Sequence, residues 1–149
     1  MPDYPPLSTQ VIGQAESALG ALLEPLLAGT GITFHQWLVL TVTAASGASI
    51  DRGQLIARIS NARKLDGATV ESAITELTAA GLVTVDGPVT LTDAGRTGYL
   101  SIRGALEEIT AGLFDFPPED LATAGRILSI VTSRANALLA GQQASTGAA

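Results

Sequence analysis

The sequence predicts a mainly α-helical fold with one small β-hairpin, on three observations. Apolar residues recur at three-to-four spacing along most of the 149 residues. Period-two alternation occurs in one place, where LVTV and VTLT flank Asp86-Gly87-Pro88. Between Asp66 and Gly95 the elements follow in a telling order: a short amphipathic helix, a Gly-Leu-Val exit, a tight hairpin and a new helix start. That order builds a winged helix-turn-helix, here with long helices before and after it.

Residues 1–7, with Pro2, Pro5 and Pro6, are expected to form a flexible N-terminal arm. A first helix from about Ser8 to Ala28 carries Val11, Ile12, Ala15, Leu19, Leu22, Leu23, Leu26 and Leu27 at helical spacing, and Pro25 should bend or strain its last turn. Gly29-Thr30-Gly31 breaks the chain. Thr33 then caps a second, largely apolar helix through Ala45, closed by Gly47. Asp51, followed by Gln54, resembles a capping box and starts a third helix with Leu55, Ile56 and Ile59 inward, fading within SNARKL.

Asp66 is the natural N-cap of a fourth helix, with Val70, Ala73, Ile74 and Leu77 buried and Gly81 as its stop. Its outward positions are Thr69, Glu71, Ser72, Thr75 and Glu76. After the hairpin, Asp93 begins a fifth helix to about Leu113, and FPPED starts a sixth from about Pro118 to Ala140. Residues 141–149, GQQASTGAA, read as a flexible polar tail. The expected organisation is thus a single domain over 8–140, with the winged helix-turn-helix at about 33–92 between flanking helices at about 8–28 and 93–140.

Composition narrows the function. The chain is 46% hydrophobic with a mean hydropathy of +0.35 and only 4% aromatics, which suits close helix packing and leaves apolar surface for a second copy. No run reaches the roughly 18 apolar residues of a membrane span, and MPDYPPLS has no signal-peptide pattern, so a cytoplasmic protein is expected. There is no cysteine and one histidine, His35, which leaves no thiolate or histidine-rich metal site and no thiol chemistry, and no metal site is expected. No cofactor motif is present. No nucleophile has an adjacent base, and the neighbours Glu107 and Glu108 point to different sides of a helix, so no enzyme is expected.

The net charge of −6 argues against indiscriminate attraction to polyanions. Of the eight cations, Arg52, Arg58, Arg63, Lys64 and Arg96 fall between positions 52 and 96, where Asp66, Glu71, Glu76, Asp86 and Asp93 balance them. Any basic surface must be local.

Taken together, GITFHQWLVL, QLIARI, ATVESAITELTAAGLV, VTLTDAGR and PPEDLATAGRILSIV resemble, in order and spacing, the MarR family of bacterial transcriptional regulators over nearly the whole folded chain. The resemblance implies a homodimer whose first and last helices interlock, here through Val11, Leu19, Leu22, Leu121, Leu128 and Val131. It implies double-stranded DNA as partner, with the fourth helix reading the major groove and the wing touching the minor groove.

Thr69, Ser72 and Thr75 would then present hydroxyls to DNA, and Arg58, Arg63 and Lys64 would meet phosphates beside the N–H groups of the helix N-terminus. Thr84, Asp86 and Gly87 form the wing. Relatives carry a basic wing tip where this chain has Asp86, and SNARK reads as a longer turn than theirs. A small aromatic effector is also implied, with Phe34, His35, Trp37, Tyr99 and Arg103 as the pocket to inspect. The expected function is a dimeric, effector-controlled repressor. The competing expectation is a winged-helix module that has lost DNA binding and serves protein interaction or ligand binding.

Overall fold

The computed structural model describes residues 3–147, so Pro2 of the expected arm and the last two residues of the expected tail lie outside it. The chain divides into two compact units, one ending at Ile109 and the other beginning at Thr110. The first holds α1 (Thr9–Ala28), α2 (Phe34–Ala45), β1 (Ser49–Ile50), α3 (Arg52–Arg63), α4 (Gly67–Ala79), β2 (Val83–Thr84), β3 (Val89–Leu91) and nearly all of α5 (Asp93–Thr110). The second consists mainly of α6 (Pro118–Gly147).

Side-chain caps set the helix starts. Ser8 accepts from the Val11 N–H at the head of α1. Thr33 and Gln36 form a reciprocal capping box on α2, and Asp51 accepts from the Gln54 N–H on α3. Pro25 lies inside α1, where its ring nitrogen supplies no helical hydrogen bond.

The core of the first unit is organised around α4. Val70, Ala73, Ile74 and Leu77 are all buried, and they meet Val39 and Leu40 of α2, Leu55 and Ile59 of α3, and Val83 and Val89 of the sheet in one cluster. Each of Val70, Ile74 and Leu77 contributes about 2 kcal/mol through the apolar surface it withdraws from water. The helix stops in a Schellman arrangement: Gly81 turns left-handed at φ +75°, its N–H reaches the Thr78 carbonyl, and the Leu82 N–H reaches that of Leu77.

The hairpin expected around residues 86–88 is present, and it belongs to a three-stranded antiparallel sheet of order β1-β3-β2. Ser49 pairs with Thr90 and Ile50 with Val89, while Val83 pairs with Leu91 and Thr84 with Thr90. The two residues of β1 are too few to show a period in the sequence. Thr92 caps α5 by accepting from the Gly95 N–H, and its own N–H bonds the Leu82 carbonyl. That brings α5 onto the α4 exit so closely that a Cβ on Gly95 would lie 1.9 Å from the Leu82 oxygen.

Three boundaries depart from the sequence reading. SNARK is not a long turn, because Ser60–Arg63 complete α3 and only Lys64, Leu65 and Asp66 separate it from α4. Lys64 makes the sharp stop at φ 56°, the Leu65 N–H bonds the Ser60 carbonyl, and Leu65 packs against the core. At the far end α5 stops at Thr110, just before Gly112. Finally, α6 does not end at Ala140 but continues through Gly147, so GQQASTG is helical. Its polar side chains are compatible with a helix exposed on every side, and Thr146 bonds back to the Gln142 carbonyl.

In the second unit none of the 30 residues of α6 is buried. Leu121, Ile127, Leu128, Val131 and Leu138, all exposed, recur at three, four and seven and share one face. On α1, Leu19 is exposed while Val11 and Leu22 are half-buried.

Gly95→Ala is expected to destabilise the fold by about 3 kcal/mol, since a methyl there must displace backbone. Gly98→Ala, where an added Cβ meets nothing within 4 Å, should be neutral or stabilising by up to about 1 kcal/mol. Urea unfolding midpoints of the two variants and the parent protein provide the measurement.

Candidate nucleic-acid interface

With one face of α4 sealed in the core, the opposite face stands clear of the fold. Ala68, Glu71, Ser72 and Thr75 are exposed there and line a shallow groove with Glu76 and with Arg52 at the start of α3. A second shallow groove holds the N-cap Thr33 and His35 of α2 beside Thr69, Ser72, Ala73 and Glu76. Gln36 joins the two helices, its Nε2 donating to the Glu76 carboxylate at 2.6 Å.

The hydroxyl stripe of Thr69, Ser72 and Thr75 does not act as a set. Asp66 accepts both the Thr69 N–H at 2.8 Å and the Thr69 hydroxyl at 2.7 Å, and Thr69 is half-buried. Those two bonds, the hydroxyl's first, hold the Asp66 carboxyl below its ordinary pKa. Thr69 therefore completes the cap with its hydroxyl while still bordering the second groove. The start of α4 also carries its own carboxylate, so its N–H groups are not all open to a phosphate. Thr75 donates its hydroxyl to the Glu71 carbonyl, which leaves its methyl and oxygen lone pairs outward. Ser72 is exposed as expected.

The cations are partly engaged within the fold. The Arg63 guanidinium lies 3.5 Å from Glu16 of α1 and 5.2 Å from the centroid of the Phe34 ring. Lys64 donates from Nζ to the Asn61 carbonyl at 2.7 Å. Arg58 donates to the Ser46 hydroxyl at the end of α2 and does not line the groove of the α4 outer face. Arg52 takes that place. Nothing in the spacing of the sequence marked it, because the contact is between α3 and α4 rather than along either helix. In the wing, Thr84, Asp86 and Gly87 are exposed, and Gly87 adopts φ +89° at the tip.

None of the grooves described among these residues is lined by more than one of the five residues expected to form an effector pocket. Trp37 and Tyr99 are buried and stacked on each other, centroids 5.4 Å apart, which makes them core. Arg103 is exposed and paired with Glu107 at 2.9 Å, a contact that, with a smaller contribution from Tyr99, raises its already high pKa. His35 faces the α4 groove, its ring 6.1 Å from that of Phe34. Of the five, Phe34 borders an apolar groove of about 660 Å³ formed with Ser17, Leu23, Glu24 and Leu27 of α1 and with Ile32. That groove was missed because its walls are the ordinary apolar spacing of α1, which is indistinguishable from packing.

Among the described residues no three acidic or histidine side chains converge as a metal site, and no helix is long and apolar enough to cross a membrane.

No protein-family profile matches the chain. No curated protein matches it in sequence either. Solved structures do. NadR in complex with 4-hydroxyphenylacetate superposes with a TM-score of 0.67 at 23% identity, over 89% of this chain and 98% of that one. CouR from Rhodococcus jostii bound to p-coumaroyl-CoA gives 0.66 at 16% identity, over 82% and 89%. A MarR family protein from Bacillus stearothermophilus gives 0.63 at 18% identity, over 85% and 91%. The chain has the winged-helix fold of the MarR family transcriptional regulators.

The Asp66 cap has a pH signature. Because its folded pKa is lowered, its contribution to stability is fully present above the ordinary carboxylate range near pH 4 and fades as pH falls through the folded value. Asp66→Ala should lower the urea midpoint at pH 7 more than Asp66→Asn, which keeps a capping oxygen, and both differences from the parent should shrink by pH 3.

Proposed function

We propose that this chain is a homodimeric DNA-binding transcriptional regulator of the cytoplasm, a repressor released by a small aromatic effector, with no catalytic role. The observation that carries the reading is the α4 helix: one face buried to the last apolar residue, the other exposed with Ala68, Glu71, Ser72 and Thr75 in a fold shared with MarR family regulators. A helix held this way is suited to a major groove.

Dimerisation is supported by the exposed apolar face of α6, with Leu121, Leu128 and Val131, and by Leu19 with half-buried Val11 and Leu22 on α1. Two copies would read the two halves of a pseudo-palindrome. The effector is supported by the groove beside Phe34 and by the aromatic compounds bound to NadR and CouR. Backbone contacts fall to Arg52, Arg63 and Lys64, with Ser72 reading bases.

The acids favour a second reading. Asp66, Glu71 and Asp86 are exposed on the reader helix and wing, a surface suited to a basic protein partner. Titration of the purified dimer with the DNA flanking its own gene, at several salt concentrations, separates the two. Saturable binding with a shallow salt dependence supports the regulator; an intact dimer that binds no DNA at low salt supports the interaction module.

Within the first reading, Lys64→Ala should weaken all sequences alike and reduce the salt slope by about 1, whereas Ser72→Ala should alter sequence preference. Arg63→Ala should also weaken all sequences. Because Arg63 contacts Glu16 and Phe34, its melting temperature is measured alongside its affinity.

A further inference from the structure

On the α4 outer face several polar groups are already engaged within the fold. Thr69 has turned its hydroxyl into the Asp66 cap, Thr75 has turned its own into the Glu71 carbonyl, and the Glu76 carboxylate accepts from Gln36. Glu71 and Ser72 stand next to each other on that face, both exposed, with Arg52 bordering the same groove. We infer that Glu71 is a base-reading residue and that its target is the exocyclic amino group of a cytosine in each half-site. The inference rests on the DNA-binding reading above.

The chemistry of the carboxylate selects the base. An ionised glutamate only accepts hydrogen bonds. In the major groove guanine presents N7 and O6, thymine presents O4, and adenine sets N7 beside its amino group, so each confronts the carboxylate with lone pairs. Cytosine presents its N4 donors with no acceptor of its own there. A carboxylate brought between phosphate strands without such a donor would only weaken binding. The neighbouring Arg52 guanidinium offsets part of that repulsion and is placed to meet the backbone. Glu71 is thereby a device for selectivity: it penalises every duplex lacking the cytosine, in keeping with a chain of net charge −6.

The test is a selection from a randomised duplex library with the full-length dimer and its Glu71→Gln and Glu71→Ala variants, followed by affinity measurements on the enriched sites. The parent should enrich a symmetric site with one position per half held as cytosine, by about tenfold or more over the other bases. Glu71→Gln, which can pair with adenine N6 and N7, should move that position toward adenine, and Glu71→Ala should leave it indifferent while other positions keep their preference.

Cytosine retained by both variants overturns the assignment. A uniform gain in affinity for all sequences also overturns it, since Glu71 would then be a repulsive charge alone. A parent dimer that enriches nothing at low salt removes the DNA-binding reading itself, an outcome distinct from the other two. Glu71 is exposed, so melting temperatures of the three proteins should agree and serve as the folding control.

Discussion

The buried side of α4 is the constraint to which the rest of the first unit answers. Val70, Ala73, Ile74 and Leu77 occupy the middle of a cluster to which α2, α3 and the sheet all contribute. Once those four are inward, the geometry of a helix leaves Ala68, Glu71, Ser72 and Thr75 outward with no further instruction. The exposed face of α4 is therefore a by-product of the core, and its orientation is as well determined as the packing beneath it. The exit is equally constrained. Gly81 reverses the chain, Leu82 accepts from Thr92, and the missing side chain of Gly95 lets α5 lie against that carbonyl.

In the proposed DNA-binding role, folding and recognition compete for the same groups at the start of this helix. The amide groups at its N-terminus would suit a phosphate, yet Asp66 and Thr69 satisfy part of that need internally. Arg63 illustrates the same competition from the cationic side, since its guanidinium rests between Glu16 and Phe34. The Phe34 ring also borders the groove along α1, so one aromatic side chain touches both Arg63 and that apolar groove.

The parts of the fold that could be read from the sequence are those where a local rule and the tertiary packing agree. Asp66, the four apolar positions of α4 and Gly81 form such a case, as do the Thr33 cap of α2 and the turn at Asp86-Gly87-Pro88. Where packing decided alone, the reading fell short. Ser60–Arg63 look polar and loop-like, but one turn of α3 is completed by the left-handed stop at Lys64 and by Leu65 entering the core. The strand at Ser49–Ile50 exists because β3 is beside it, and the last seven residues of α6 carry no apolar period at all. The site was less accessible than the fold for the same reason. Residue type singled out Thr69, Trp37, Tyr99 and Arg103, yet Thr69 and Arg103 are taken up by the local partners Asp66 and Glu107, and Trp37 stacks on Tyr99 in a long-range contact that spacing does not show. Arg52 became visible only once α3 and α4 were side by side.

Lys64 carries a consequence for how this chain can change. At φ 56° it sits in a backbone region where an L-residue is disfavoured by about 1 kcal/mol and where glycine or asparagine would be at ease. The joint between α3 and α4 is thus held slightly under tension by the residue that brings positive charge to the head of α4. Relaxing that joint and keeping its charge are mutually exclusive at this position, because neither glycine nor asparagine is a cation. A more robust fold and a stronger hold on a polyanion lie, for this chain, in opposite directions from the same residue.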